Sequence, residues 1–285
     1  MNPVPFSELM VHSANPYAHG NYYSPIPSAE KIAVFDFNRE LPDSLPGIDL
    51  RPDAQFTLLE CVSKYYADIP FTFEPTEKYR YYYNNCWYNC GDGVFLYLML
   101  RHLKPKRLIE VGSGFSSAVT LDTNQYFFDN QMECTFIEPF PERLNMLLRS
   151  NDNIQLFEKY LQDIPLDVFK QLQSGDVLFI DTSHVSKFQS DVNYLIHEIL
   201  PILNSGVYIH IHDIDYPFEY SEQWMKEGRG YTESYILRAF LEFNKTFQIE
   251  LFEGYLMRMF GEKLFDMFPL LRNGWGLAFW MSKVK

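Results

Sequence analysis

The sequence contains little cysteine, with only Cys61, Cys86, Cys90 and Cys134 among its 285 residues. Cys86 and Cys90 are the only two that lie close together, and their C-x3-C spacing has no second pair with which to complete a zinc site. So few cysteines in so long a chain argue against a disulfide scaffold and favour a reduced, intracellular protein.

Positive charge is also scarce. The chain has 24 Lys and Arg residues against 37 Asp and Glu residues, which gives a formal net charge of −13, and no basic cluster offsets this balance. An acidic surface repels the phosphates of nucleic acids and anionic membranes. We therefore expect neither nucleic acid nor a membrane as a partner, and a small-molecule or protein substrate is favoured.

Long hydrophobic segments are absent as well. No run approaches the ~20 apolar residues that a membrane span needs. The first ten residues, MNPVPFSELM, lack the basic region followed by an apolar core that marks a signal peptide. The sequence thus predicts a cytoplasmic protein.

Aromatic residues, in contrast, are abundant, with 25 Phe and 20 Tyr in a chain that is 47% hydrophobic. That is ample for a large core, and we expect some rings to line a pocket and most to be core. Residues 1–55 are rich in Pro and aromatic residues, which favours extended or turn structure. We predict that residues 1–92 form an arm and helical cap packed on a main domain of residues 93–285.

From Lys106 onward, short apolar runs alternate with helical patterns. Strands are predicted at residues 107–111, 133–137, 154–157, 176–180 and 207–211. Alternation of this kind is typical of an α/β fold with a doubly wound, mostly parallel, Rossmann-like sheet. Residues 247–252 and 276–282 read as two late strands with no full helix between them, so we expect an antiparallel C-terminal hairpin and seven strands in all.

Polar residues follow the ends of four predicted strands: Glu110, Glu138, Asp181 and the pair His212 and Asp213. Ligands of open α/β sheets bind outside the carboxyl ends of the strands. These side chains should therefore meet at one edge of the sheet.

The first of these strand ends, RLIEVGSGFSS at residues 107–117, contains the spacing G-x-G, which predicts a tight turn that opens a helix. The dinucleotide fingerprint G-x-G-x-x-G would need glycine where Ser117 stands, and no basic residue lies nearby to hold a pyrophosphate. A P-loop is excluded because no lysine follows the glycines.

The run from Glu110 to Ser117 instead resembles motif I of class I S-adenosylmethionine-dependent methyltransferases, commonly E/D-x-G-x-G-x-G, with Ser116 in place of the third glycine. The stretches FIDTSHVSKFQSDV (179–192) and LPILNSGVYIHIHDI (200–214) resemble the small-molecule group of that family, which carries D-x-x-H after strand four and H-D after strand five. The resemblance covers about residues 20–255.

This resemblance implies that S-adenosylmethionine is the cofactor and that Glu138 accepts hydrogen bonds from both ribose hydroxyls. Asp163 resembles the acid of the family's adenine loop. The cofactor-binding residues implied in this way are Glu110, Gly112, Ser113, Gly114, Phe115, Ser116, Ser117, Glu138, Pro139, Asp163 and Asp181.

Methyl transfer to oxygen usually requires a general base. The candidates are His184 and His212, with Asp181 and Asp213 holding the geometry; the alternative is that His184 caps a turn and His212 packs beneath the cofactor loop. His210, on the same strand face as His212, is expected to be a satisfied core histidine.

Some relatives hold magnesium with acids at the ends of strands four and five. The matching residues here are Asp181, His212 and Asp213, but magnesium prefers oxygen ligands, so a metal is not favoured.

Several other polar and aromatic residues admit two interpretations. The aromatic segments 79–88 and 216–224 could form a substrate lid or could be surface-packed loops. Asp92 is expected to cap a helix or to reach the amino acid end of the cofactor, and Glu233 to favour a helix N-terminus.

The sequence is consistent with two main classes of function. One is a methyltransferase that acts on an oxygen of a small molecule. The other is a non-catalytic nucleotide-type binding protein of the same fold, and an NAD-dependent oxidoreductase is a weaker third. Glu110 and Glu138 together favour the enzyme.

Overall fold

The structure is a computed structural model, and it describes residues 20–285. The part of the predicted N-terminal arm at residues 1–19 lies outside the described residues. By compactness the chain divides into two units. One comprises described residues 20–41 together with Tyr220–Tyr231, and the other comprises Pro42–Glu219 and Thr232–Lys285. These units do not follow the expected boundary between residues 92 and 93, which stays a prediction.

The smaller unit contains two short helices that pack on each other, Ala29–Val34 and Glu222–Lys226. Each begins at a serine whose hydroxyl accepts a hydrogen bond from the first turn: Ser28 from the amide of Lys31, and Ser221 from that of Trp224. Such N-caps satisfy an amide that has no partner within the helix.

The larger unit is built on a seven-stranded sheet. Its strands are β1 Arg107–Val111, β2 Glu133–Ile137, β3 Ile154–Phe157, β4 Val177–Ile180, β5 Tyr208–Ile211, β6 Phe247–Phe252 and β7 Phe279–Lys283. Their order is β3-β2-β1-β4-β5-β7-β6, with β7 antiparallel to both β5 and β6 and the other pairs parallel. The predicted Rossmann-like fold with its antiparallel C-terminal pair is confirmed.

The connection between β6 and β7 differs from the expectation. A full helix, Glu253–Met267, lies between the two strands, followed by a short 3₁₀ helix, Pro269–Asn273. The expectation that no full helix separates them was wrong. The helix contains five Phe and Met residues, of which only Met257 is buried, and a non-helical residue, Phe260, interrupts it, so its sequence lacks a regular helical pattern.

The remaining helices of the larger unit connect or flank the strands. They are Pro52–Ser63, Cys90–Leu103, Phe115–Phe127, Glu142–Leu147, a helical run over residues 191–202 and Glu233–Leu241. Two 3₁₀ helices, Leu161–Asp163 and Leu166–Gln171, lie between β3 and β4. In the helix Cys90–Leu103, every residue from Cys90 to Leu100 is buried, so this helix is a central part of the core.

The parallel strands are covered on both faces, which is why they read as nearly continuous apolar runs. All four residues of β4 are buried, as are the last four of β1. Of the 47 aromatic residues in 20–285, 18 are buried, which is fewer than the expectation that most are core; Trp280, Phe136 and Phe179, for example, are almost completely inaccessible. Within residues 20–285, no helix combines the length and apolar character that a bilayer span requires.

Candidate functional site

The carboxyl ends of β1, β2, β4 and β5 are joined by backbone hydrogen bonds into one edge. The amide of Gly112 donates to Ile137 O at 3.0 Å, that of Asp181 to Val111 O at 2.9 Å, and that of His212 to Ile180 O at 2.9 Å. The strand order reverses between β1 and β4, and such a reversal opens a crevice at the carboxyl ends. The predicted strand-end residues therefore do meet at one edge.

Gly112 is required here by the protein's own backbone. Its φ is +80°, and a Cβ at this position would lie 1.7 Å from the carbonyl oxygen of Asp181. Only glycine combines the left-handed conformation with so close an approach. The close approach of the residue after β4 to the turn after β1 is thus sufficient by itself to require glycine at this position.

Glu110 and the two serines after the second glycine form a buried cluster. One carboxylate oxygen of Glu110 accepts from Ser116 Oγ at 2.6 Å and from Ser117 Oγ at 2.8 Å, while Ser117 Oγ accepts from the amide of Gly114 at 3.0 Å. Burial raises the pKa of Glu110 to about 8, although both serines act to lower it. Ser116, which replaces the third glycine of the motif, is held by this cluster and does not disturb the turn.

A cleft of about 190 Å³ lies over the turn that follows β1. Five consecutive predicted residues line it, from Gly112 to Ser116, together with Glu138 and Asp181. Glu138 is fixed at the cleft by the amides of Ser113 and Phe140, which donate to its two carboxylate oxygens at 2.9 and 2.8 Å.

The cleft also has walls that the motifs did not predict. Trp87 and Tyr88 come from the aromatic segment 79–88, Thr182 follows Asp181, and Arg143 comes from the helix after β2. Thr182 could have been found from its place beside Asp181. Arg143 gave no signal, because a single arginine on a short helix is common on protein surfaces.

The cleft presents polar atoms suited to a polar ligand. The hydroxyls of Ser113 and Thr182 are inaccessible to solvent and have no hydrogen-bond partner among residues 20–285, and the same holds for Glu110 Oε2 below them. Buried polar groups in native proteins are normally paired. These residues therefore fit a cofactor with hydroxyl and amino groups.

Not every predicted cofactor residue reaches this cleft. Ser117 and Glu110 lie beneath it, and Pro139 is half-buried beside Glu138. Asp163 is exposed at the end of the turn Leu161–Asp163 and lines a separate surface groove with Tyr160 and Tyr194.

His184 is buried behind Asp181 and surrounded by carboxylates. Its Nδ1 lies 2.8 Å from Glu233 Oε2, and its Nε2 lies 3.3 Å from Asp181 Oδ1 and 3.7 Å from Asp213 Oδ2. Burial acts to lower the pKa of His184, but the hydrogen bonds and charges of Asp181 and Glu233 raise it well above its usual range. The interaction with Glu233 links β4 to the helix Glu233–Leu241, whose first residue it is.

The backbone around these groups is held in an uncommon conformation. His184 and Asp213 have φ values of +57° and +61°, which are rare for residues other than glycine. The amides of Thr232 and Glu233 both donate to His184 O, at 2.9 and 3.1 Å. Strain of this kind persists only where the surroundings enforce it, and it concentrates at functional sites.

His212 occupies the neighbouring position at the end of β5. Its Nε2 lies 3.4 Å from Asp213 Oδ1 and its Nδ1 lies 3.7 Å from Asp92 Oδ1. Its ring packs against Tyr88, with the two centroids 5.1 Å apart. Burial lowers the pKa of His212, but Asp92, Asp213 and Asp181 together raise it to about 9.

Asp181 and Asp92 differ in their ionisation. Burial acts to raise the pKa of Asp181, yet His212 and His184 lower it to about 2. Burial raises the pKa of Asp92 to about 6, and Glu253 lies close enough to share its environment. Asp92 does not cap the helix Cys90–Leu103, because Asn89 is the N-cap; its Oδ1 accepts instead from the amide of Leu277 at 2.9 Å.

His210 is a core histidine as expected, but it is not a satisfied one. It is fully buried, its ring stacks on Phe179 at 4.2 Å, and neither ring nitrogen has a hydrogen-bond partner among the described residues. Burial lowers the pKa of His210 well below its usual value, so the ring is neutral.

The two candidate lid segments differ in whether they reach the cleft. Tyr216 and Phe218 are almost completely buried and contact Phe252, so this part of 216–224 belongs to the core. In the segment 79–88, Tyr81 and Tyr83 are buried, whereas Trp87 is 62% exposed and lines the cleft.

The candidate metal ligands contact other side chains: Asp181 and Asp213 lie near His184 Nε2, and His212 lies between Asp213 and Asp92. Across residues 20–285, no group of three His, Cys, Asp or Glu side chains is arranged to hold a metal ion.

Comparison with known proteins gives a match in the same region. Residues 109–214 match a family described as a methyltransferase domain. An uncharacterized protein of Archaeoglobus fulgidus is 32% identical over 162 residues, which make up 55% of this chain and 73% of that protein.

Two solved structures are similar in fold. The SAH-bound methyltransferase PaMTH1 of Podospora anserina is 15% identical with a TM-score of 0.44, over 82% of this chain and 89% of that one. The O-methyltransferase TomG of Streptomyces achromogenes, in complex with SAM, is 12% identical with a TM-score of 0.40, over 84% and 92%. Structures at these TM-scores carry no argument, so the methyltransferase family is assigned from the domain matched at residues 109–214.

Proposed function

We propose that this chain, which belongs to the class I S-adenosylmethionine-dependent methyltransferases, transfers a methyl group to an oxygen of a small-molecule acceptor. The observation that carries the choice of oxygen is the histidine His184, which is held between Glu233 and Asp181 beside the cofactor cleft. A hydroxyl acceptor must lose its proton during transfer, and a positioned imidazole is the group most often used for this.

We assign the cofactor to the cleft lined by Gly112, Ser113, Gly114, Phe115 and Ser116. Glu138 would accept hydrogen bonds from the ribose hydroxyls. Each carboxylate oxygen of Glu138 already accepts from one backbone amide and has a second lone pair available. The two amides thus orient the carboxylate without using its full capacity.

The remaining cofactor assignments follow the strand ends. Asp181 lines the cleft and is ionised, which suits the cationic groups of the cofactor. Glu110 and Ser117 would act from below by holding the turn, and Pro139 and Asp163 would lie on the adenine side. These roles come from the family resemblance and from the positions of the residues.

The reaction needs one proton acceptor from the protein. When bound, the cofactor supplies a methyl group on a sulfonium sulfur. This methyl group would pass to the acceptor oxygen, and the electron pair of the carbon–sulfur bond would stay on sulfur. The hydroxyl proton passes to Nε2 of His184, since Nδ1 is engaged by Glu233. Asp181 and Asp213 hold the ring from the Nε2 side, and His212 orients Asp213.

A panel of acceptors tests this proposal. Phenols, catechols, aliphatic alcohols, carboxylates, amines and thiols of similar size would be incubated with the protein and S-adenosylmethionine, and formation of S-adenosylhomocysteine would be measured. We expect turnover with at least one hydroxyl class. Turnover confined to amines or thiols would contradict the assignment of oxygen.

A further inference from the structure

Among the described residues that line the cofactor cleft, Arg143 is the only one with a positive charge. The other charged residues of the lining, Glu138 and Asp181, are both acids. Arg143 lies in the first turn of the helix Glu142–Leu147, which follows β2 in the chain.

The side chain of Arg143 lies across the glycine turn. Its guanidinium carbon is 3.7 Å from the centroid of the Trp87 ring, the shortest arginine–aromatic distance of this kind among the described residues. Its Cδ is 3.1 Å from the point where a Cβ on Gly114 would stand. The guanidinium is thus held over the turn by a cation–π contact.

Arg143 makes no ion pair and no hydrogen bond with any of residues 20–285. Other half-buried or buried arginines of the larger unit do have such partners: Arg80 pairs with Asp122 and Asp152, and Arg258 pairs with Asp215. In a chain with a net charge of −13, an arginine without an acid partner keeps all five of its N–H donors for a ligand.

The inference rests on S-adenosylmethionine as the ligand of this cleft. That molecule carries two cationic groups, which Asp181 suits, and one carboxylate, for which Arg143 is the single counter-charge among the described residues of the cleft. The planar guanidinium matches a carboxylate with two parallel hydrogen bonds. We propose that Arg143 binds the α-carboxylate of the methionine part of the cofactor and that Trp87 positions the guanidinium for this contact.

Calorimetry with two ligands tests this role. Wild type, Arg143→Gln and Arg143→Lys would each be titrated with S-adenosylhomocysteine and with its analogue that lacks the carboxylate. We expect Arg143→Gln to weaken binding of S-adenosylhomocysteine about tenfold or more, as for loss of a charge-assisted hydrogen bond, and to leave binding of the analogue unchanged. Arg143→Lys should weaken binding of S-adenosylhomocysteine by a smaller factor, because the positive charge remains.

Two further variants serve as references. Arg272→Gln removes the same charge from an exposed position and should bind both ligands as the wild type does. Glu138→Gln should weaken both ligands to a similar extent, because both contain the ribose. If Arg143→Gln weakens both ligands equally, or neither, while the wild type binds S-adenosylhomocysteine, the assignment of Arg143 is wrong. If the wild type does not bind S-adenosylhomocysteine, the assignment of S-adenosylmethionine as the cofactor is wrong as well.

Discussion

At the scale of single residues, the ionisation of His184 sets an expectation for the pH dependence of catalysis. Asp181 and Glu233 raise the pKa of His184, so the ring is protonated at neutral pH and gains its capacity as a base only as the pH rises. We therefore expect kcat/KM to increase from neutral to alkaline pH.

Substitutions of His184 and Glu233 separate the base from the group that positions it. His184→Gln should lower kcat by about 100-fold or more, the usual contribution of a general base. Glu233→Gln removes a carboxylate that raises the pKa of His184, so the rise in activity should shift to lower pH while some activity remains. His197→Gln, at an exposed position, is the control. An unchanged pH profile in Glu233→Gln, or full activity in His184→Gln, would contradict these roles.

Part of the candidate site can be predicted from the sequence alone. Glu138, Asp181 and the residues 112–116 could be placed because they follow apolar strands directly, and the carboxyl ends of parallel strands meet. The sequence indicates Glu233 only as a helix start and gives no signal for Arg143. Both act through contacts with residues far away in the chain, which no local pattern encodes.

At the scale of elements, the aromatic segment 79–88 is fixed to the helix Phe115–Phe127 by a buried ion network. Arg80 donates to Asp122 at 2.7 Å and to Asp152 at 2.5 Å, and the amides of Arg80 and Tyr81 also donate to Asp122. The guanidinium and both carboxylates are almost inaccessible to solvent. This network holds Trp87 and Tyr88 at the cleft indirectly, through the segment that carries them.

Removal of Arg80 should therefore be costly. Arg80→Met leaves two buried carboxylates without their counter-charge, and breaking a buried pair in this way costs about 3–5 kcal/mol. Urea unfolding would measure the loss. Arg272→Met, at an exposed position, should change the free energy of unfolding by less than about 0.5 kcal/mol. If Arg80→Met also changed the free energy of unfolding by less than about 0.5 kcal/mol, the network would make no net contribution to stability.

At the scale of the whole molecule, the buried imidazoles link stability to pH. His212 faces Asp92, Asp213, Asp181, His184 and the ring of Tyr88. Its pKa is about 9 in the folded protein, above the ordinary value of 6.5. A raised pKa contributes stability that is fully present below pH 6.5 and is lost as the pH rises to about 9.

The free energy of unfolding should thus fall between these two pH values. For a single group with this shift, the loss is on the order of 3 kcal/mol. His212→Gln lacks the titrating ring, so its stability should depend less on pH over the same range, as measured by urea unfolding at several pH values. Equal slopes for the two proteins would contradict this role of His212.

The sequence by itself determined the alternation of strands and helices, the parallel sheet with its antiparallel end, and the polar residues that follow four strands. These are local properties, because periodicity, turn residues and strand-end positions are read within a few residues. They were sufficient to predict the edge of the sheet at which the site lies.

Only the tertiary structure decided which groups meet at that edge. It paired His184 with Glu233 across 49 positions of the chain and brought Asp92 to His212. It also placed Gly112 against the carbonyl oxygen of Asp181, which follows β4, and it placed Arg143 in the wall of the cleft. The physical reason is that pairing and burial, and through them pKa values, depend on neighbours that the chain brings together only when the sheet and its helices have packed.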